Sequence, residues 1–98
     1  MYARVRQGVA RPGKMDELVD LVNGPVVQET AKQDGARGLL LLADKGTRRV
    51  MSISLWETAE AMIGGTSDYL AEQIGKVAPL MEEVPSTHDF EVVGRHDI

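Results

Sequence analysis

A small set of polar and aromatic residues alternates along one predicted strand, 49–56 (RVMSISLW). Ser52, Ser54 and Trp56 alternate with apolar residues in this segment. Because successive side chains of a strand point to opposite faces, these three project to the same side. Two hydroxyls and an indole suit the lining of a ligand cavity, where the ring forms a wall and its N–H meets a polar group of the ligand. Packing in a core, or hydrogen bonding to the backbone, is the alternative role, and both interpretations stay open here.

Two arginines show the same alternation in the segment 2–10 (YARVRQGVA), where Arg4 and Arg6 share a face. If that face lies beneath helices, two guanidinium groups form a natural site for a carboxylate or a phenolate. If it reaches solvent at a sheet edge, they are ordinary surface charges. The second interpretation is favoured, because arginine is rarely fully buried without a partner.

Met62 and Tyr69 lie in a predicted second helical region, with the Gly64-Gly65 pair between them. An apolar space lined by methionine adapts to flat ligands, although methionine is more often a filler of core gaps. The two glycines predict either a flexible joint over a cavity or a simple turn between two helical pieces.

Several classes of function are excluded by composition. The chain has no cysteine, which excludes disulfides, thiolate metal sites and a cysteine nucleophile. A net charge of −4 with no basic run argues against nucleic acid as a partner. His88 and His96 do not make a metal site by their spacing, and we interpret both as surface residues. With no apolar run of about 20 residues and no signal-peptide core, we expect no membrane association and a cytoplasmic location.

The elements that must position these residues follow from hydrophobic periodicity and turn signals. The predicted strands are 2–10, 39–42, 49–56 and 87–95. One helix is predicted over 14–32, with a kink or an interruption at Asn23-Gly24-Pro25. A second, broken helical region is predicted over 59–81. Its predicted apolar face comprises Leu70, Ile74, Val77 and Met81. The order β-α-β-β-α-β predicts one α+β, ferredoxin-like domain over residues 1–98, with two helices on one face of a four-stranded antiparallel sheet.

Two helices cover only one face of such a sheet, yet this sequence places apolar residues on both faces. The leucine run 39–42 does so, and Met51, Ile53 and Leu55 lie opposite the serines of the same strand. A second copy packed sheet to sheet is an economical cover, so we expect a homodimer. An irregular monomer core is the alternative.

The chain resembles the antibiotic-biosynthesis-monooxygenase superfamily of dimeric α+β barrels over essentially its whole length. The residues that carry the resemblance are 11–14 (RPGK), Gly35 and Gly38, 55–61 (LWETAEA) and 90–93 (FEVV). The resemblance implies the fold and the dimer. It also implies one of three roles: cofactor-independent oxygenation of polycyclic phenols or quinols, haem degradation, or no assigned activity.

Residue by residue, the resemblance excludes haem degradation and leaves the oxygenases and the domains of no assigned activity open. Haem degraders use a histidine of the second helix, which this chain lacks. The polyketide-oxidising branch matches at Trp56, whereas its asparagine, tyrosine and arginine positions are Ser52, Met62 and about Lys76 here. Ser52 and Lys76 would then supply a hydrogen bond and a cation.

These observations predict a binding site for an apolar aromatic or quinone-like molecule between the sheet and its own helices, with no cofactor. The site serves either a cofactor-independent monooxygenase or a non-catalytic ligand-binding or accessory domain. In the oxygenase, a substrate carbanion would give an electron to oxygen while the protein positions it. No catalytic base is evident in the sequence.

Overall fold

The sheet has four antiparallel strands in the order β2-β3-β1-β4. The structure is a computed structural model that describes residues 1–64 and 67–98, with side chains described for 1–64 and 72–98. The strands are β1 (Tyr2–Val9), β2 (Ala36–Asp44), β3 (Arg49–Trp56) and β4 (Ser86–Glu91). The helices are α1 (Met15–Leu21), α2 (Val27–Ala31), α3 (Ala59–Gly64) and α4 (Ser67–Val77). The predicted ferredoxin-like β-α-β-β-α-β order is confirmed.

The first helical region passes through Pro25 without ending. α1 is followed directly by a π-helical segment, Val22–Val26, and then by α2. Proline lacks the N–H of an α-helical hydrogen bond, and its ring clashes with the preceding turn. A π-helical turn is a local change that lets a helix continue past such a residue. The predicted interruption is therefore a change of helix type, and Leu18 stays buried on the sheet side.

The second helical region has the predicted start. The Thr58 hydroxyl accepts a hydrogen bond from the Ala61 N–H at 3.1 Å, which satisfies a free donor of the first turn. α3 ends at Gly64, and Gly65 lies outside the described residues. Pro79 lies in a 3₁₀ turn that follows α4.

The predicted apolar face of this region is only partly correct. Ile74 and Val77 lie on α4, and the side chain of Leu70 is outside the described residues. Placing Met81 on the helix was wrong, because the helix ends at Val77. Met81 instead forms an isolated bridge with Ala10 and is 2% exposed.

Two strands differ in length from their predictions because pairing decides where a strand ends. β2 is longer than the predicted 39–42, since β3 supplies partners from Trp56 opposite Ala36 to Arg49 opposite Asp44. β4 ends at Glu91 rather than residue 95. Its partner strand β1 begins at Tyr2, so Glu91 is its last paired residue.

The pairing register divides the sheet into two faces. Arg4 lies opposite Ser54 and Arg6 opposite Ser52 on one face, with the core residue Leu18 packed above that side. Ile53 lies on the other face, which no described helix covers.

None of the described helices is long and apolar enough to cross a membrane.

Gly35 lies between the first helical region and β2, in close contact with α3. Its φ is +80°, and an added Cβ would lie 2.6 Å from the Ala61 Cβ. We expect Gly35→Ala to lower the free energy of unfolding by about 1–3 kcal/mol. Urea denaturation measures this change.

Gly24 is the matched control, because an added Cβ meets nothing within 4 Å and its φ is not positive. Gly24→Ala should stabilise by about 0.5–1 kcal/mol, since alanine loses less backbone entropy in a helix. Equal effects of the two substitutions would contradict the proposed packing at Gly35.

Candidate functional site

A cavity of about 160 Å³ lies between the helix-side face of the sheet and the helices. Its apolar wall comes from Val22 and Val26 of the π-helical segment, Ile74 and Val77 of α4, and leucines of β2. An apolar cavity of about 150 Å³ in a protein core holds a benzene molecule. The cavity is therefore the size of a single aromatic ring.

The floor of the cavity is polar because of the pairing of β1 with β3. Arg4 beside Ser54 and Arg6 beside Ser52 all line the cavity. The favoured interpretation of the two arginines as charges at an exposed edge was wrong. β1 lies between β3 and β4, so its helix-side residues are covered rather than facing solvent.

Arg4 is held in this position by Asp89 of the neighbouring strand β4. Its Nε and Nη2 donate to the two carboxylate oxygens of Asp89 at 2.8 and 3.0 Å. The hydrogen bond from Arg4 is the main cause that lowers the pKa of Asp89 below its usual value. This bidentate pair is the partner that a mostly buried arginine needs, and it balances the charge of Arg4.

Trp56 is both a core residue and part of the cavity wall. It is 3% exposed, and its Nε1–H donates to the Ser54 hydroxyl at 2.9 Å. The Ser54 hydroxyl in turn lies 3.5 Å from the backbone oxygen of Arg4. The indole ring therefore offers a ligand its apolar surface, while its N–H is already used inside the protein.

The other predicted site residues divide into three groups. Met62 lines the cavity and is 5% exposed. Lys76 is not among the described lining residues, and its ammonium lies 3.5 Å from a Glu72 carboxylate oxygen instead. Lys76 thus pairs with a carboxylate one turn earlier on α4, and its role as a cation of the cavity stays a prediction. The Tyr69 side chain lies outside the described residues.

Gln73 is a cavity residue that sequence reasoning missed. It lines the cavity from α4 and is 3% exposed. The available signal was its spacing, since it lies three residues after Leu70 and four before Val77. These spacings place a polar amide within the apolar stripe of the helix.

The described lining residues include no aspartate, glutamate or histidine. Among the described residues, no group of three or more histidine, aspartate or glutamate side chains is placed to hold a metal ion. His88 and His96 are both exposed. The arrangement is thus suited to holding a flat ring against apolar walls and to presenting guanidinium and hydroxyl groups to its oxygen atoms.

A family model described as antibiotic biosynthesis monooxygenase matches residues 1–64, which include β1, β3 and Trp56. Among curated protein sequences, none matches the chain.

Solved structures with the same fold are similar over nearly the whole chain. The ActVA-Orf6 monooxygenase of Streptomyces coelicolor, solved in complex with nanaomycin D, is 19% identical with a TM-score of 0.84, covering 99% of this chain and 91% of that chain. A putative antibiotic biosynthesis monooxygenase from Chloroflexus aurantiacus is 20% identical with a TM-score of 0.74, covering 99% and 97%. Rv0793 from Mycobacterium tuberculosis is 16% identical with a TM-score of 0.76, covering 98% of each chain. At these identities the likeness is one of fold.

The Arg4–Asp89 pair predicts a pH dependence of stability. The pKa of Asp89 is lowered in the folded state, so its contribution is complete above the unfolded value of about 3.9 and is lost as pH falls through the folded value. Asp89→Asn should cost about 0.5–1 kcal/mol at neutral pH, since a partly exposed ion pair is screened by solvent. The difference from the native protein should close below about pH 4. Urea denaturation from pH 3 to pH 8 measures it, and curves that stay parallel throughout would contradict the assignment.

Proposed function

This chain belongs to the antibiotic biosynthesis monooxygenase family, and from that premise we propose that it binds a small aromatic phenol or quinone in its cavity and oxygenates it without a cofactor. The observation that carries the proposal is the construction of the cavity itself. Apolar walls enclose a space of about 160 Å³ over a floor of guanidinium and hydroxyl groups.

The walls favour a flat, apolar ring. Val22 and Val26 on one side and Ile74 and Val77 on another leave a space bounded mainly by methyl and methylene groups. Binding of the ring there is favoured by about 25 cal/mol for each Å² of apolar surface that is removed from water. Trp56 adds an aromatic surface to the same wall, which favours offset or edge-to-face contact with a second ring.

The floor favours a negatively charged or partly negative oxygen. Arg6 lines the cavity with Ser52 as its cross-strand neighbour. A guanidinium group near a phenol stabilises the phenolate and lowers the pKa of the bound hydroxyl, typically by about 1–3 units for contacts within a few ångströms. Through its place in the lining, Arg6 favours the ionised ligand, and the described lining residues include no carboxylate or histidine that could act as a base.

An ionised hydroxyaromatic ring is sufficiently electron-rich to react with dioxygen. The anion transfers one electron to dioxygen, and the two radicals combine at a ring carbon to give a peroxide. Protonation and loss of water leave a quinone, so that phenol and dioxygen give quinone and water. In this scheme the protein positions the ring and stabilises its anion.

A second candidate is a binding domain without catalysis. The absence of a carboxylate or histidine among the described lining residues favours it, since proton transfer would then depend on solvent. Oxygen uptake separates the two candidates. Consumption of one dioxygen per quinone formed from phenol, in the presence of a metal chelator, supports the oxygenase, and saturable binding without uptake supports the binding domain.

We also propose that two copies pair through the uncovered face of the sheet. Leu40, Leu42 and Phe90 on this face are 55%, 49% and 55% exposed in the single chain. Leu40 pairs with Ile53 and Leu42 with Met51, while Phe90 pairs with Ala3, which in turn pairs with Leu55. These side chains therefore form a continuous apolar surface. A second sheet packed against it would bury this surface in a two-fold interface.

If Arg6 stabilises a phenolate in the cavity, the pKa of a bound phenol should be lower than that of the free phenol. We expect 4-nitrophenol to titrate at a lower pH when bound than when free, by about 1–3 units, because the cation stabilises its anion. Arg6→Gln should abolish the shift, whereas Arg11→Gln, at an exposed arginine, should preserve it. The absorbance of the phenolate measures both. An unshifted titration in the native protein, or the same shift in Arg6→Gln, would contradict the proposed floor.

If two copies pair through this face, a charged side chain introduced on it should weaken the dimer. Leu40→Asp should be tolerated by a single chain, because Leu40 is 55% exposed there. In a sheet-to-sheet interface the charge is buried without a partner, and dimer affinity should fall by about 100-fold or more. Multi-angle light scattering at micromolar concentration measures the state, with Gln28→Asp on an exposed helix position as the control. A native monomer, or an undisturbed Leu40→Asp dimer, would contradict this pairing.

A further inference from the structure

Gln73 is a buried amide whose role the fold does not explain. The residue is 3% exposed, and its side-chain Nε2 and Oε1 are both buried with no hydrogen-bond partner among the described residues. Burying a donor and an acceptor in this way is unfavourable, and native proteins retain few such groups. An apolar side chain of similar length would fill the same place without this penalty. The position of the amide therefore indicates a partner that the described residues do not supply.

The location of Gln73 identifies where that partner lies. Gln73 lines the cavity from α4, with Ile74 and Val77 of the same helix beside it in the apolar wall. The guanidinium group of Arg6 and the hydroxyl of Ser52 belong to the floor, on the sheet side. The cavity thus has polar groups on the helix side and on the sheet side, with apolar side chains between them.

We propose that Gln73 is a specificity-determining residue that selects an aromatic ring carrying oxygen atoms at both ends, such as a 1,4-dihydroxybenzene or its quinone. One oxygen meets the floor at Arg6, and the other meets the Gln73 amide. An amide suits both oxidation states of such a ring, because Nε2 donates to a carbonyl oxygen and Oε1 accepts from a hydroxyl. A cavity of about 160 Å³ accommodates one such ring. This inference rests on the proposed function, since it assumes that the cavity binds an aromatic molecule.

The test compares two ligands that differ in one group. Hydroquinone and 4-methylphenol have nearly the same shape, but 4-methylphenol has a methyl group in place of the second hydroxyl. We expect the native protein to bind hydroquinone about tenfold more tightly, the value of one buried hydrogen bond, in anaerobic calorimetry. Gln73→Met should remove or reverse this preference while retaining affinity for 4-methylphenol. The exposed Gln28→Met carries the same chemical change and should behave as the native protein.

The ligand-free protein supplies a second measurement. Gln73→Met should raise the melting temperature by several degrees, because it removes two buried polar atoms that have no partner in the described chain. A marked fall in melting temperature would assign the amide a structural role and overturn the proposal. Gln73→Asn is a second variant that keeps a polar amide at this position, and withdrawing the amide by one methylene should also remove the preference for hydroquinone.

The possible failures are distinguishable. If the native protein binds neither ligand, the proposed function itself fails. If it binds both with equal affinity, or if Gln73→Met retains the preference for hydroquinone, the cavity binds aromatic rings but Gln73 does not select them.

Discussion

Placing two arginines on the covered face of a central strand is the constraint on which the rest of this structure depends. A guanidinium group loses much of its hydration when it is covered, and it requires hydrogen-bond partners in return. Arg4 finds one in Asp89 on the adjacent strand. Leu18 and Val22 of the apolar cluster line the same space as the two arginines, so the helices face this part of the sheet across a cavity. A cavity remains where the polar floor meets the apolar wall.

The same constraint accounts for the arrangement of the neighbouring side chains. Ser54 lies between Trp56 and the backbone of Arg4, accepting from the indole and approaching the Arg4 carbonyl. This chain of contacts fixes the tryptophan ring against the cavity without leaving its N–H unsatisfied. Gln73 has no such arrangement within the described residues. The indole N–H of Trp56 has a partner within the protein, whereas the Gln73 amide has none among the described residues. A bound ligand therefore explains the buried amide better than packing does.

A site of this type combines stabilising and destabilising groups within one small fold. The apolar cluster, the helical packing at Gly35 and the Arg4–Asp89 pair favour the folded state. The cavity and the buried amide oppose it, as binding sites commonly do. The uncovered face of the sheet adds a second apolar surface, and its burial between two copies would contribute stability that a single chain of this size has difficulty in supplying.

The sequence by itself determined the element order, most strand positions and the shared face of Ser52, Ser54 and Trp56. These depend on local periodicity, and β3 has the predicted bounds because its alternation is unbroken. Tertiary structure alone decided the ends of β2 and β4, since a strand extends only as far as its partner does. It also decided that the arginines of β1 are covered, because strand order places β1 inside the sheet. Tertiary structure also decided that Gln73 lines the cavity, because a polar residue within the apolar stripe of α4 faces the cavity only through the packing of that helix on the sheet.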